Sequence, residues 1–509
     1  MKEFCKHYWW LFLIFLLAVG IRFLYFPNNI YFGYDQARDA YVVQELIAGN
    51  LRLVGPTTLI DGLFHGPLYY YLFAPVYFFS SGNPEWVSAF LRVVNAAGVF
   101  NVFAITAILF NKKSAFIASI IYAFSFEQTQ FSIYLNHPSL SIQAVLLFYL
   151  GLSILFFRRK WWGLLIAMFG LGLSIQFEFP LIYLVPGFVL LLGVIGVYSR
   201  QLPQLSIKQI LLSVTTFLLV ISSFILAEIK FNFKGVSTLF YGILFSGGGE
   251  KPDYLHNIGL ISSRFIQDSL FSFYPLFFGI LLLGIASYFI WKRKYSSQII
   301  FLLIWFGMGI VPYLKNTATI PLYYYSGGAA ISGIIFVSFL LSTIFSKNRL
   351  IAVVLLLVVL SSNLIQIQKF NPFGTIPSIN VQSGMLWSEQ KKVVDYVYQE
   401  ADGQPFAVNA LSVPLNVNMV WSYVFEQYGE RKYGYLPVWG GDAAAGYYGN
   451  LKVEKARSEL PNNQYLILEP TRGIEQYLID DFMKNENLFT TSVQEVEFGL
   501  IKLQTRQKI

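Results

Sequence analysis

The stretch YWWLFLIFLLAVGIRFLYF, residues Tyr8–Phe26, decides the fold class of this chain. It is apolar apart from Arg22, and it is long enough to cross a hydrocarbon core of about 30 Å. Lys2 and Lys6 precede it, and no small-residue cleavage site follows it. These features predict an uncleaved membrane anchor whose N-terminus lies in the cytoplasm.

Similar apolar runs recur along the chain. The 509 residues are 55% hydrophobic, which is typical of a polytopic α-helical membrane protein. We predict about eleven transmembrane helices, at residues 8–26, 85–110, 114–126, 139–157, 161–178, 180–198, 209–229, 269–291, 298–313, 320–345 and 349–367.

The basic residues support this topology. If residue 1 is cytoplasmic, every basic cluster between two runs falls on the cytoplasmic side, as the positive-inside rule requires. These clusters are Lys112–Lys113, Arg158–Lys160, Arg200 with Lys208, Lys292–Lys294, and Lys347 with Arg349. The net charge of +8 therefore reflects membrane topology and predicts no nucleic-acid partner. We expect a multi-pass protein of the cell membrane.

The same topology places two large segments outside the cytoplasm. Residues 27–84 form a first outer loop, in which DQARDAYVVQELIAG predicts an amphipathic helix ending at Gly49 and the following aromatic stretch predicts an interfacial helix. Residues 368–509 have ordinary polar content and alternate strand-like with helix-like pieces. We therefore predict a membrane module at 1–367 and a small extracytoplasmic α/β domain at 368–509.

Cysteine and histidine are scarce. Cys5 is the one cysteine, so the chain cannot form an internal disulfide, and the four histidines are scattered along the sequence. This distribution predicts no metal cluster.

Charged residues are rare in this chain, yet Asp35, Arg38 and Asp39 fall together in FGYDQARDA, Phe32–Ala40. One interpretation is structural: Asp35 is a helix N-cap, and Arg38 pairs with one of the two aspartates. The other interpretation is a functional site.

Three stretches favour the functional interpretation, namely GYDQARDAYVVQEL (residues 33–46), FHGPLYYYLFAP (64–75) and YLKNTATIPLYYYSGGAAISG (313–333). Together they resemble the outer loops of GT-C glycosyltransferases, in the group of protein O-mannosyltransferases and the lipid A aminoarabinose transferase. FSIYLNHPSL (131–140) and GLSIQFEFPLIYLVP (172–186) resemble that group more weakly. The chain departs from the pattern at Gln36, where an acid is common, and at His65, where a basic residue is common.

The resemblance implies a GT-C fold and an inverting transfer of a sugar from a polyprenyl-phosphate donor at the outer face. The acceptor would be a protein, glycan or lipid, and membrane lipids surround the site. It implies that Asp35 is the catalytic base and that no cofactor takes part; relatives of this group generally work without a metal, and metal dependence stays open here. The predicted donor-binding residues are Arg38, His65, Lys315, Tyr323 and Tyr324, and the secondary candidates are Asp39, Asn136, His137, Gln176 and Glu178.

Two other functions compete with a glycosyltransferase. A transporter or flippase for lipid-linked sugars would also be a large membrane protein, but transporters place unusual polar residues at midspan, whereas here they cluster in outer loops. A structural or sensory protein would leave the elaborate first outer loop unexplained.

Overall fold

The computed structural model describes residues 2–58, 60, 62–245, 253–314, 323–376, 382–454 and 456–509. Its first part is helical, and the helices are α1 Lys2–Arg22, α2 Tyr34–Ile47, α3 Leu68–Phe79, α4 Pro84–Ala96, α5 Gly98–Leu109, α6 Lys112–Phe124, α7 Phe126–Ile133, α8 Pro138–Phe157, α9 Trp162–Phe177, α10 Leu184–Leu191, α11 Ile207–Val220, α12 Ser222–Lys230, α13 Lys234–Phe245, α14 Tyr254–Ser269, α15 Pro275–Trp291, α16 Ser296–Met308, α17 Ala330–Phe345 and α18 Arg349–Phe370.

Apolar helices lie within all eleven predicted spans. Among the described residues, five helical segments are long and apolar enough to cross a membrane by length and composition, and the pair α11 and α12, bent by 58°, would add a sixth. The remaining apolar helices are shorter. The protein is thus a helical, multi-pass membrane protein, while eleven crossings stay a prediction.

Several boundaries differ from the predicted ones. The span expected from residue 269 begins at Pro275, and the span expected from residue 320 has its helix from Ala330. Proline is favoured in the first helical turn because its missing N–H has no partner there in any case. Apolar residues between 269 and Pro275 were included in the predicted span, although the helix begins only at Pro275.

The first outer loop contains the two predicted helices. Helix α2 ends at Ile47, and Gly49 follows with a φ of +101°, the conformation that favours glycine after a helix end. Helix α3 begins after Pro67 and is apolar along its length. Between the two helices, Thr57 and Phe64 form an antiparallel bridge.

The C-terminal region forms a mixed five-stranded sheet with helices. Its elements are α19 Trp387–Ala401, β1 Phe406–Leu411, α20 Met419–Val424, α21 Arg431–Tyr433, β2 Val438–Trp439, β3 Asn463–Leu468, α22 Gln476–Asn487, β4 Thr490–Phe498 and β5 Ile501–Lys508. The strand order is β2-β1-β3-β5-β4, with β2, β1 and β3 parallel and β5 antiparallel to both its neighbours.

The C-terminal region and the first outer loop share one hydrophobic core. Phe32, just before α2, lies 5.1 Å from the ring of Trp387 and 5.2 Å from that of Tyr423, measured between ring centroids. The Phe32 N–H also donates to the carbonyl oxygen of Met385 at 2.8 Å. The outer loop is therefore held in place by the C-terminal region, and a domain boundary at residue 368 stays a prediction.

Candidate active site

Asp35 is not the N-cap of α2. Gly33 holds that position, and its N–H donates to the side-chain oxygen of Gln36 at 3.1 Å. Gln36 in turn donates to the carbonyl oxygen of Leu135 at 2.9 Å, which ties α2 to the segment before α8. The capping interpretation of Asp35 is therefore wrong, and Gln36 has a structural role that an acid could not perform.

Arg38 binds both neighbouring carboxylates. Its Nη1 donates to Asp35 Oδ1 at 2.8 Å, while its Nε and Nη2 donate to Asp39 Oδ1 at 2.9 and 2.8 Å. The side chain of Asp35 is 44% exposed, but that of Asp39 is 2% exposed. The three charges thus form one cluster in which Asp35 is the carboxylate that solvent can reach.

Asp39 has a different environment from Asp35. Burial raises the pKa of Asp39 to about 6, although the charge of Arg38 opposes this rise. Tyr70 on α3 donates to Asp39 Oδ1 at 3.2 Å. Asp39 therefore fixes Arg38 and the α2–α3 contact, and Arg38 in turn orients Asp35.

His65 is held by backbone on two sides. Its N–H donates to the carbonyl oxygen of Pro56 at 2.8 Å, and its carbonyl oxygen accepts from Gly55 at 2.9 Å. The N–H of Phe179 donates to His65 Nδ1 at 3.1 Å. The ring is buried, and burial lowers the pKa of His65 to about 3. Burial and the N–H donated to Nδ1 both favour the neutral ring, and the role of His65 in binding the donor stays a prediction.

Gly66 explains why this loop can approach α9. Its N–H donates to the carbonyl oxygen of Gln176 at 2.9 Å, and a Cβ on Gly66 would lie 1.8 Å from the side-chain oxygen of Gln176. Gln176 itself donates to the carbonyl oxygen of Val220 at 2.7 Å and to Ser223 at 2.8 Å, across the break between α11 and α12. Gln176 thus packs three elements together at the edge of the site.

His137 and Asn136 lie just before α8. The side-chain amide of Asn136 donates to the hydroxyl of Tyr134 at 3.0 Å, and its oxygen accepts from the His137 N–H at 2.7 Å. The ring of His137 packs against that of His65, with 4.1 Å between the ring centroids and a tilt of 42° between the planes. The histidines expected to be scattered are therefore partly clustered: His65, His137 and Glu178 form one buried group, whose ligand atoms all lie within 4.8 Å of one another.

The remaining predicted residues lie at the edge of the described structure. Lys315 is outside the described residues. Tyr323 and Tyr324 begin a short 3₁₀ helix, Tyr323–Ser326, and their side chains are also outside the described part of the chain. Their proposed roles in donor binding stay predictions.

The C-terminal region supplies contacts near Asp35 that the sequence did not indicate. The Tyr41 hydroxyl donates to Glu426 at 2.8 Å, and the ring of Tyr447 lies 6.2 Å from that of Tyr34. Tyr447 is about half exposed. These residues place one C-terminal loop beside the first turn of α2.

An open groove of about 830 Å³ lies beside Pro67 and Gln176. Its walls come mainly from apolar residues of α3, α4, α8, α9 and α11, including Leu68, Phe169 and Leu219. Arg52 and Gln176 are polar residues at its edge, and Pro67 and Phe177, the neighbours of Gly66 and Glu178, also line it. The groove is large and apolar enough to accept part of a long apolar chain.

The fold is similar to that of solved membrane glycosyltransferases. ArnT from Cupriavidus metallidurans bound to undecaprenyl phosphate superposes with a TM-score of 0.59 at 10% identity, covering 98% of each chain. The oligosaccharyltransferase of Archaeoglobus fulgidus, tethered to an acceptor peptide, superposes with a TM-score of 0.53 at 13% identity. That match covers 83% of this chain and 64% of the archaeal one. The fold is that of the GT-C membrane glycosyltransferases.

Sequence comparison points to a group within that class. Residues 64–226 match the model of the dolichyl-phosphate-mannose-protein mannosyltransferase family. A search of curated proteins finds no significant match. The chain is thus similar to a mannosyltransferase family in sequence over residues 64–226 and to ArnT in fold.

Proposed function

We propose that this protein transfers a sugar from a polyprenyl-phosphate donor to an acceptor at the extracytoplasmic face, with inversion at the anomeric carbon. One observation carries the proposal: Asp35 is the half-exposed carboxylate of an otherwise buried cluster, and Arg38 holds it in place. A general base must be both positioned and accessible, and among Asp35, Asp39 and Glu178 Asp35 alone meets both conditions.

The reaction would proceed by one displacement. The acceptor hydroxyl or amine attacks the anomeric carbon while its proton passes to an oxygen of Asp35. The bond between that carbon and the phosphate oxygen breaks, and the polyprenyl phosphate leaves with the bonding electrons. The leaving group is anionic already, so it needs nearby positive charge and hydrogen-bond donors rather than a strong acid. Arg38 and Lys315 are the cations that we assign to this task.

The apolar groove fits the donor of this reaction. A polyprenyl chain is an extended hydrocarbon, and the groove is lined by apolar side chains over most of its length. The ArnT structure with a similar fold contains undecaprenyl phosphate, and a dolichol phosphate is present in the archaeal oligosaccharyltransferase AglB, which superposes with a TM-score of 0.50 at 13% identity. Both are polyprenyl-type phosphates, and we infer the same class of carrier here.

The assay that tests the function uses purified protein and a radiolabelled polyprenyl-phosphate hexose. We expect release of free polyprenyl phosphate together with labelled acceptor. A flippase would instead move the donor across a vesicle membrane and leave it intact. Intact donor after incubation with a cell-envelope extract as the source of acceptor would contradict the enzyme.

The proposed orientation places the N-terminus in the cytoplasm and the C-terminal region outside. It follows from the basic clusters between spans, which all fall on one side. Reporter fusions after Lys294 and after Ile509 should therefore report opposite sides of the membrane. Reports from the same side would contradict the topology.

A further inference from the structure

We propose that His65, His137 and Glu178 form a binding site for one divalent transition-metal ion of the zinc type. Zn²⁺ is bound in proteins by imidazole nitrogens and carboxylate oxygens, and two histidines with one glutamate are an established ligand set. The three residues come from the first outer loop, from the start of α8 and from the end of α9. No two of them are near neighbours in the sequence.

The strongest observation concerns Glu178. Its side chain is fully buried, and neither carboxylate oxygen has a hydrogen-bond partner among the described residues. A buried carboxylate without a partner is costly, and native proteins usually compensate such a group with a cation or with hydrogen bonds. A bound metal ion would satisfy both oxygens and neutralise the charge.

The distances between the candidate ligand atoms are close to those in a zinc site. Nδ1 of His137 lies 3.2 Å from Glu178 Oε2, and Nδ1 of His65 lies 3.9 Å from Oε1. Neighbouring ligand atoms in a tetrahedral zinc site, with bonds of about 2.0–2.1 Å, lie about 3.3–3.4 Å apart. The largest separation among the three ligand atoms is within 4.8 Å, so shifts of about 1.5 Å or less would close the site.

Backbone contacts hold both rings beside the glutamate. Nδ1 of His137 lies 2.7 Å from the carbonyl oxygen of Phe177, and Nδ1 of His65 accepts from the N–H of Phe179. Both contacts come from the residues that flank Glu178. Metal binding at these nitrogens would displace both backbone contacts and release the proton that His137 Nδ1 donates to the Phe177 carbonyl oxygen, while the chain around residue 178 would remain the common support.

Asp35 and Asp39 are already paired with a cation. Arg38 already binds one oxygen of Asp35 and one of Asp39. Oxygen-only sites suit Mg²⁺ and Ca²⁺, whereas imidazole nitrogens favour Zn²⁺ and other transition metals. The proposal therefore commits to a nitrogen-rich site that is separate from the Asp35–Arg38–Asp39 cluster.

The binding test needs no sugar donor. Protein purified without a polyhistidine tag is treated with a chelator, and Zn²⁺ binding is then measured by titration calorimetry and by metal analysis after gel filtration. We expect about one Zn²⁺ per chain, and a thermal transition that rises with Zn²⁺ because the ligand binds only the folded state. Millimolar Mg²⁺ should not replace Zn²⁺.

Two variants and one matched control complete the test. Glu178→Gln and His65→Gln keep the side-chain size, and each should weaken Zn²⁺ binding at least tenfold. His256→Ala should bind as the wild type does, because His256 is exposed and lies on α14 outside the group. Absence of stoichiometric Zn²⁺ binding by the wild-type protein would overturn the proposal, and so would equal binding by Glu178→Gln. If a variant fails to fold, the Zn²⁺ titration of the wild-type protein still tests the proposal.

A role for this metal in catalysis would rest on the proposed function, and the two are separable. If Zn²⁺ binds but chelation leaves sugar transfer unchanged, the site is structural and both proposals stand. If Zn²⁺ binds and no transfer is found with any donor, the metal site stands and the enzyme proposal fails.

Discussion

Replacement of Asp35 by asparagine is the sharpest test of the proposed mechanism. Asparagine has the same shape and can still accept one hydrogen bond from Arg38, but its amide cannot take the acceptor's proton. Loss of a general base lowers a rate by about 10²–10⁴-fold. The fold should suffer little, because the Asp35–Arg38 pair is partly exposed and pairs of this kind contribute about 0–1 kcal/mol.

The assay measures initial rates of polyprenyl phosphate release at saturating donor and acceptor, with the thermal transition measured on the same preparation. We expect Asp35→Asn to lose at least 100-fold in kcat while its melting temperature stays within a few degrees of the wild type. The effect should fall on kcat more than on the KM for donor, because the base acts in the chemical step.

The matched control is Asp253→Asn. Asp253 is a true N-cap, whose carboxylate accepts from the His256 N–H at 3.0 Å at the start of α14, and asparagine caps about as well as aspartate. It should retain full activity and stability. Near-normal transfer by Asp35→Asn would refute the reasoning, and asparagine at position 35 would then be no more harmful than it is at position 253.

Two further predictions concern the donor and the loop that carries His65. Lys315→Ala should weaken donor binding by about ten- to a hundredfold, because a charged hydrogen bond to a phosphate contributes about 1.5–3 kcal/mol; unchanged donor affinity would remove this residue from the site. Gly66→Ala should destabilise the protein by about 1–3 kcal/mol, since its Cβ would overlap the side chain of Gln176. Gly259→Ala, whose Cβ would meet nothing within 4 Å, is the control in the same thermal assay.

Patterns along the sequence predicted most of the helices, because hydrophobicity and local signals act over short distances. Gly49 follows the end of α2 as predicted, because the preference for glycine after a helix depends only on the local backbone conformation. The predicted N-cap of α2 was wrong. Asp35 is by type a better capping residue than Gly33, but Gln36 binds both Gly33 and the distant Leu135, and the helix starts two residues earlier than predicted. Local propensity is a weak guide where a side chain has a distant partner.

The buried group of His65, His137 and Glu178 could not have been predicted from spacing. No periodic pattern relates these residues, and their proximity depends on how the first outer loop packs against the ends of α8 and α9. One signal was present in the sequence. Gly66 in the HGP stretch, residues 65–67, indicates that another segment approaches the chain closely there. Only the fold shows that this segment contains Gln176.

The site depends on both ends of the chain, and this explains why the outer loop alone was hard to interpret. Phe32 and Tyr41, which flank the Asp35–Arg38–Asp39 cluster, are packed against C-terminal residues, and the Tyr41 hydroxyl donates to Glu426. Helix α2 is short and contains three charged residues near its start, so it would be marginal by itself. Its packing against the C-terminal core holds Arg38 between two carboxylates and leaves one of them exposed. The C-terminal region is thus part of the catalytic architecture that we propose, because together with Leu135 and Tyr70 it holds α2, and hence Asp35, in position.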